Sequence, residues 1–245
     1  MTHPQENVNE TVAPLTNVST LMDAVRRANS SEASERLLVM YGHPGYGKTT
    51  AANYVANKLR GRYVEACAHW TKKVLLESIY FEMTGIVMKG TINHLFQLVI
   101  DELARSGRPL IIDEADYLVK NSCIETVRDL HDKGRVVIIL VGEEMMPRKL
   151  ERWDRVHSRV LEFVAAEPAD LDDLAHLCRL YCPSTEIADD WMAELHRQTG
   201  GNIRRICNNL IFARDEAEHL GRIDLSSWGS RGWKTGKSPA PRRAV

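Results

Sequence analysis

The sequence has almost no excess of charge of either sign and no long apolar run. Its 245 residues hold 32 Lys and Arg against 33 Asp and Glu, a formal net charge of −1. The longest apolar runs, near 110–112 and 136–141, fall well short of the ~20 residues that span a bilayer. This pattern excludes a transmembrane protein, and we expect no membrane partner.

The first thirty residues lack a basic region followed by an apolar stretch, so we expect that the chain has no secretory signal. We therefore expect a cytoplasmic location. Cysteines are few and odd in number, five in all, which favours reduced core thiols over disulfides. Cys178 and Cys182 lie one helical turn apart with His176 nearby, which leaves a zinc site as an alternative. A second Cys/His pair with ligand spacing is missing, and this argues against zinc.

Apolar strands alternate with helical patterns from Arg36 onward. Strands almost wholly apolar and separated by helices of ten or more residues predict an α/β domain, with a parallel sheet covered on both faces. The predicted strands are Leu37–Tyr41, Arg62–Glu65, Leu110–Asp113, Arg135–Val141 and Val160–Val164. The predicted helices between them are Thr49–Leu59, Thr71–Met83, Ile92–Ala104 and Ile124–Asp132.

The chain divides into four predicted regions. Residues 1–30 form a flexible arm and a short helix over 18–29, and residues 31–167 form the α/β domain. The strands stop after Pro168, and helices near 170–182, 186–199 and 202–219 make a small all-helical lid of residues 168–221. Residues 222–245, with six Lys and Arg against one acid, form a basic, flexible tail.

A glycine-rich segment follows the first strand and opens a helix, as a phosphate-binding P-loop does. Glycines let the backbone curl so that its N–H groups and the helix N-terminus face phosphate oxygens. Lys48 would hold the β and γ phosphates of ATP, and Thr49 would ligate Mg²⁺. A dinucleotide-binding loop is the alternative, but Lys48-Thr49 stands where a third glycine is needed. The segment comprises Gly42, His43, Pro44, Gly45, Tyr46, Gly47, Lys48, Thr49 and Thr50.

Asp113 and Glu114 end the apolar strand that begins at Leu110. Asp113 can accept a hydrogen bond from a Mg²⁺-bound water, and Glu114 can polarise the water that attacks ATP. Both carboxylates could instead cap the following helix. Their occurrence with a P-loop favours hydrolysis.

These motifs, with a helical lid, resemble the AAA+ ATPases over residues 36–220. The segments Val141-Gly-Glu-Glu and Asp154-Arg-Val-His-Ser-Arg-Val160 further resemble the B transposition protein of phage Mu and related transposon helper ATPases. The resemblance implies a P-loop AAA+ fold: a parallel sheet sandwiched by helices, followed by a small all-helical lid.

The resemblance also assigns further site residues. The sensor-1 position falls on Glu143, where the family usually has a neutral amide; a carboxylate there would be repelled by the γ-phosphate unless its pKa rises or its side chain rotates away. The arginine finger that acts in a neighbouring subunit corresponds to Arg159, with Arg155 as the second candidate. Either arginine could instead cap a helix or pair with surface acids. Arg204 matches the sensor-2 arginine.

The resemblance implies an assembly, a ring or a helical filament of this chain on double-stranded DNA, which recruits or activates a transposase. DNA phosphates would be bound without base specificity by Lys72, Lys73, Lys89 and Thr91. A solvated helix start is the alternative explanation of the lysines, and the basic tail could also contact DNA. We keep two other functions open, a helicase-loader or initiator-like ATPase and a P-loop small-molecule kinase.

Overall fold

The computed structural model describes residues 15–30, 35–217 and 221–236. Contacts divide the chain into two compact units: residues 16–167 form the first, and the described residues from Pro168 onward, with Leu15, belong to the second. Residues 1–14 of the predicted arm, and Lys237, Arg242 and Arg243 of the predicted tail, lie outside the described residues. In the described part, no helix has the length and hydropathy that a membrane span needs.

The first unit contains a five-stranded parallel sheet with the order β2-β3-β4-β1-β5. The three central strands, β3, β4 and β1, are buried almost throughout, whereas the edge strands β2 and β5 are half-buried. Helices cover both faces of such a sheet, which is why apolar residues run through the central strands without alternation. The predicted α/β fold is therefore confirmed. The strands are β1 (Leu37–Tyr41), β2 (Arg62–Glu65), β3 (Leu110–Asp113), β4 (Ile138–Gly142) and β5 (Val160–Ala165).

The helices of the first unit bury one apolar face each. Thr71 and Thr91 cap two of them, since each hydroxyl accepts a hydrogen bond from a backbone N–H three residues on. The helices are α1 (Thr16–Ala28), α2 (Lys48–Leu59), α3 (Lys72–Thr84), α4 (Ile92–Ser106), α5 (Asp116–Lys120), α6 (Ile124–Gly134), α7 (Met146–Leu150) and α8 (Asp154–His157).

Two predicted boundaries are wrong. The predicted strand from Arg135 begins only at Ile138, because Arg135 ends α6 in the left-handed conformation (φ 52°). The helix grouped with the flexible arm, α1, packs instead against α2, β1 and β5. Its apolar residues Val18, Leu21 and Val25 are buried, so hydrophobic burial holds it on the sheet.

In the second unit, the prediction that strands stop after Pro168 is wrong. Two short strands, β6 and β7, form a parallel ladder in which Ile187 pairs with Ile223. The expected helix from 186 therefore begins at Asp189. The elements are α9 (Leu171–Tyr181), β6 (Glu186–Ile187), α10 (Asp189–Thr199), α11 (Ile203–Ala217), β7 (Arg222–Ile223) and α12 (Leu225–Trp228).

The predicted flexible tail is wrong over residues 222–236, which fold onto the helices of the second unit. The Trp228 ring lies 5.3 Å from Trp191 and 5.4 Å from Trp233, measured between centroids. Trp191 and Trp228 are both fully buried. Aromatic burial of this size offsets the entropy of ordering a basic segment.

We expect Trp228→Ala to lower the free energy of unfolding by about 3 kcal/mol or more, because it removes a buried aromatic side chain and leaves a cavity. Urea unfolding followed by circular dichroism measures the change. The matched control is Leu225→Ala, which truncates a 40% exposed side chain on the same helix. A Trp228→Ala protein as stable as this control would show that residues 222–236 are not part of the core.

Candidate functional site

The glycine-rich segment forms a loop between β1 and α2. Gly42, Gly45 and Gly47 have φ angles of 152°, 87° and 81°, which residues with a side chain rarely adopt. A Cβ on Gly42 would lie 2.9 Å from the carbonyl oxygen of Ala166. The loop therefore needs glycine at these positions, and it ends at the N-terminus of α2, where backbone N–H groups favour an anion.

The Lys48 side chain folds back over this loop. Its Nζ donates hydrogen bonds to the carbonyl oxygens of Gly42 (2.6 Å) and His43 (3.0 Å). Burial lowers the pKa of Lys48, while the nearby carboxylates of Asp113 and Glu114 act in the opposite direction. An ammonium group is thus held at the mouth of the loop, where a phosphate would lie.

Both carboxylate oxygens of Asp113 are hydrogen-bonded. The Tyr63 hydroxyl donates to Oδ2 (2.8 Å), and the backbone N–H of Glu114 donates to Oδ1 (2.8 Å). Burial, then the Asp113 charge, raises the pKa of Tyr63, so its hydroxyl stays a donor. The motif did not indicate Tyr63, because the tyrosine lies on β2, fifty positions from Asp113 in the chain.

Glu114 has a φ of 52°, a left-handed conformation for a residue with a side chain. Such strain persists only where surrounding contacts hold it, and it is found most often at functional sites. Burial, then the Asp113 and Asp116 charges, raises the pKa of Glu114, which makes it a better proton acceptor near neutral pH. The capping alternative is not supported, because the N-cap of α5 is Ala115 and no side chain caps that helix.

Asn17 of α1 is a second residue that the motifs did not indicate. Its amide nitrogen donates to the carbonyl oxygens of Tyr46 and Glu167, each at 2.8 Å. Its amide oxygen accepts a hydrogen bond from the Glu167 N–H (3.0 Å). Asn17 is 3% exposed, so a buried amide ties the phosphate-binding loop to Glu167, two residues after the end of β5.

Glu143 follows β4 at the same edge of the sheet. Its backbone N–H donates to Asp116 Oδ2 (2.7 Å), and its carboxylate accepts from Lys149 Nζ (3.1 Å). The structure thus pairs the charge that we expected to be repelled or to need a raised pKa. The role of Glu143 as sensor 1 stays a prediction.

The two predicted finger residues differ in their surroundings. Arg159 Nε donates to Asp132 Oδ1 (3.0 Å) and lies 3.9 Å from Glu35, so it forms the ion pair that was its alternative explanation. Arg155 is exposed on α8 and makes no ion pair with the described residues. Arg204 is exposed on α11 of the second unit, and its sensor-2 role stays a prediction.

The three lysines predicted to bind DNA lie in two recesses. Lys72 and Lys73, exposed at the start of α3, line one recess, whereas Lys89 lines another with Glu77 and Glu82. Lys73 also lies 3.8 Å from Glu77. Thr91 caps α4, which gives its hydroxyl a structural role. The structure therefore joins Lys72 with Lys73 but places Lys89 in a different recess.

Comparison with known proteins identifies the fold around this site. Residues 31–150 match the family described as "AAA domain". The chain has the P-loop AAA+ ATPase fold. AAA+ ATPases bind ATP or ADP together with Mg²⁺.

Among curated proteins, the chain is 25% identical over 198 residues to the replication factor C large subunit of Methanothrix thermoacetophila, covering 78% of this chain and 38% of that protein. The chain thus spans well under half the length of this relative. Among solved structures, it is similar to the Aeropyrum pernix ORC1 protein in complex with DNA, with a TM-score of 0.61, 19% identity and coverage of 85% of this chain and 61% of that one. It is also similar to domain III of the Thermotoga maritima replication initiation protein DnaA, with a TM-score of 0.55, 21% identity and coverage of 91% and 95%.

The donor groups at the end of β3 and at the start of α2 fit Mg²⁺. Magnesium prefers oxygen ligands and is bound through one or two protein groups plus substrate phosphates. Asp113 supplies a carboxylate at the end of β3, and Thr49 supplies a hydroxyl in the first turn of α2. Within the described ranges, which include Cys178 and Cys182, no group of three or more His, Cys, Asp or Glu could hold a metal ion.

We expect Tyr63→Phe to raise the Mg²⁺ concentration needed for half-maximal ATP hydrolysis about tenfold. This is the lower end of the loss in metal affinity when a metal-ligating group loses a hydrogen-bond partner. The reason is that Asp113 Oδ2 loses its only side-chain donor among the described residues. Initial rates at saturating ATP over a Mg²⁺ titration measure it. Tyr80→Phe, at another half-buried tyrosine of the same unit, should leave the Mg²⁺ dependence unchanged, and equal curves for both variants would contradict the role of Tyr63.

Proposed function

We propose that this chain is an ATPase whose nucleotide state controls its assembly on duplex DNA, in the manner of an initiator or helicase loader. The observation that carries ATP hydrolysis is the convergence of Lys48, Asp113 and Glu114 on one edge of the sheet, since the carboxylates of Asp113 and Glu114 act on the Lys48 ammonium. An anion-binding loop beside a carboxylate pair is the arrangement that phosphoryl transfer to water requires.

Each residue of the site has a separate task in hydrolysis. The loop N–H groups and Lys48 bind and orient the phosphates, which supplies positioning and charge stabilisation. Thr49 and Asp113 would hold Mg²⁺, which neutralises negative charge on the phosphate oxygens. Glu114 accepts the proton of the attacking water, and its raised pKa matches that task.

For the residue that completes the site in trans, the structure favours Arg155 over Arg159. Arg159 is held in an ion pair by Asp132. Burial alone would raise the pKa of Asp132, but the hydrogen bonds from His131 and Arg159 outweigh it, so the pKa is lowered. Moving Arg159 into another subunit would break this ion pair. Arg155, exposed and without an ion pair in the described part of the chain, could reach a neighbour without such a loss.

The partner class follows from charge and from the relatives. Lys72 and Lys73 are exposed beside His69 on one recess, a cationic surface suited to a phosphate backbone. The relatives are replication proteins, one of them described in complex with DNA, which favours the initiator-like alternative over transposition. The transposase partner gains no support from them.

A subunit-mixing experiment tests the composite site. Glu114→Gln should lower ATP hydrolysis about 100-fold or more, because the proton acceptor is lost, and Arg155→Ala should do the same to the assembled protein. An equimolar mixture should recover about a quarter of the wild-type rate, since half of the subunits keep the base and half of the neighbours keep the finger in a head-to-tail assembly.

The control mixture contains Arg159→Ala in place of Arg155→Ala. If Arg155 is the finger, assembled Arg159→Ala hydrolyses ATP at nearly the wild-type rate by itself. If the mixture with Arg159→Ala recovers ATP hydrolysis and the mixture with Arg155→Ala does not, Arg159 is the finger instead. No recovery in either mixture would reject a site shared between subunits.

DNA binding is tested by filter binding with two unrelated duplexes at salt concentrations from about 50 to 200 mM. We expect binding to need ATP and to tolerate either sequence. Lys72→Ala with Lys73→Ala should weaken binding equally on both duplexes and reduce the salt slope by about 2, roughly one per lysine. Lys58→Ala with Lys133→Ala, at exposed lysines of other helices, is the matched control.

An unchanged slope in the Lys72/Lys73 variant would move the DNA site elsewhere on the chain. If neither duplex is bound under any nucleotide condition, the DNA-binding function itself is rejected.

A further inference from the structure

Three carboxylates and three cationic side chains line a cleft of about 620 Å³ beside the catalytic candidate Glu114. The carboxylates are Glu114, Asp116 and Glu143, and the cations are Lys120, Lys149 and Arg152. Lys149 Nζ lies 2.5 Å from Asp116 Oδ1 and 3.1 Å from Glu143 Oε2. Among the described cations of the cleft, Lys149 is therefore the one that forms ion pairs with its carboxylates.

The backbone holds this pair in place from two sides. Asp116 accepts the Glu143 N–H with its other oxygen, Oδ2 (2.7 Å). Lys149 lies in α7, whose first residue, Met146, donates its N–H to the Glu143 carbonyl (3.0 Å). A Cβ on Gly142 would lie 2.5 Å from Asp116 Oδ2, so the glycine leaves room for the carboxylate. The ion pair is thus part of a defined turn after β4 and not a chance surface contact.

The charges in this cleft matter for a polyanionic ligand. Glu143 is close enough to the phosphate-binding loop that its charge acts on Lys48. Burial lowers the pKa of Lys149, but the hydrogen bonds to Asp116 and Glu143 raise it by more, so the amine stays charged. Without it, the Glu143 carboxylate would be unpaired near nucleotide phosphates, and like charges repel each other.

We propose that Lys149 is a positioning residue that keeps the Glu143 carboxylate paired and so allows the terminal phosphate of ATP to bind beside Glu114. The proposal rests on nucleotide binding at the loop 42–50. In this arrangement Lys149 offsets the Glu143 charge, whereas Asp116, its other partner, also accepts the Glu143 N–H. Removing both charges is therefore tolerated, whereas removing only the cation is not.

A double-mutant cycle tests the proposal by titration calorimetry with ATP and with ADP in the presence of Mg²⁺. Lys149→Met should weaken ATP binding about tenfold, a change that corresponds to about 1.4 kcal/mol, and should weaken ADP binding less. Glu143→Gln should bind ATP about as well as the wild type. Glu143→Gln with Lys149→Met should recover most of the loss, and Lys149→Arg should retain ATP binding.

The matched control is Arg152→Met, which removes another cation that lines the same cleft and has no ion pair with the described residues; it should not change ATP affinity. A double variant as weak as Lys149→Met would overturn the proposal, because Lys149 would then bind phosphate itself. Normal ATP binding by Lys149→Met would overturn it too.

Two further comparisons keep the outcome decisive. If Lys149→Met alone does not fold, Glu143→Gln is compared with the double variant: equal ATP affinities support the proposal, and a tenfold weaker double variant overturns it. If the folded wild-type protein binds no ATP, nucleotide binding at the loop is rejected. If the wild type binds ATP and Lys149→Met binds it equally well, only the role of Lys149 is rejected.

Discussion

The parallel pairing of β1 with β4, and of β4 with β3, determines where every group of the candidate site lies. Tyr41 is level with Gly142, and Ile112 with Leu140, so the three strands end at one edge of the sheet. Ligands of open α/β sheets bind outside the carboxyl ends of the strands. The phosphate-binding loop, the carboxylate pair and the turn with Glu143 come together because of this register, and none of them would form a site alone.

The sequence predicted the parts of the fold and site that depend on neighbours in the chain. Four central strand and loop features, namely β1, β3, the glycine-rich loop and the Asp113-Glu114 pair, each lie within a few consecutive residues, so composition and spacing reveal them. Contacts between distant residues were not predictable in this way. Tyr63 and Asp113 are fifty positions apart, and Asn17 and Tyr46 are twenty-nine apart. No local pattern distinguishes Tyr63 or Asn17 from other polar residues of the chain.

The basic tail shows how composition misleads when a few large side chains decide the structure. Residues 222–236 hold more cations than acids, and such a balance is typical of solvated segments. Trp228 nevertheless packs edge-on against Phe212, with centroids 5.4 Å apart, and Arg231 donates to Glu216 (3.0 Å). Burial of the indole stabilises the folded state by more than ordering the surrounding charged side chains costs, because those charges remain at the surface with their partners.

A similar balance between charges and their partners explains the turn after β4. Two consecutive glutamates at a strand end, Glu143 and Glu144, would be an unfavourable choice beside a phosphate-binding loop if their charges were unpaired. Glu143 has Lys149 as its partner, and Glu144 lies 3.9 Å from His43 of the loop itself. Each acid thus has a cation or a titratable group as its partner, so the turn can carry two carboxylates next to the nucleotide without repelling it outright. The turn itself supplies Lys149 as the partner of Glu143, and the sheet register brings His43 beside Glu144, so both charges become compatible with ATP.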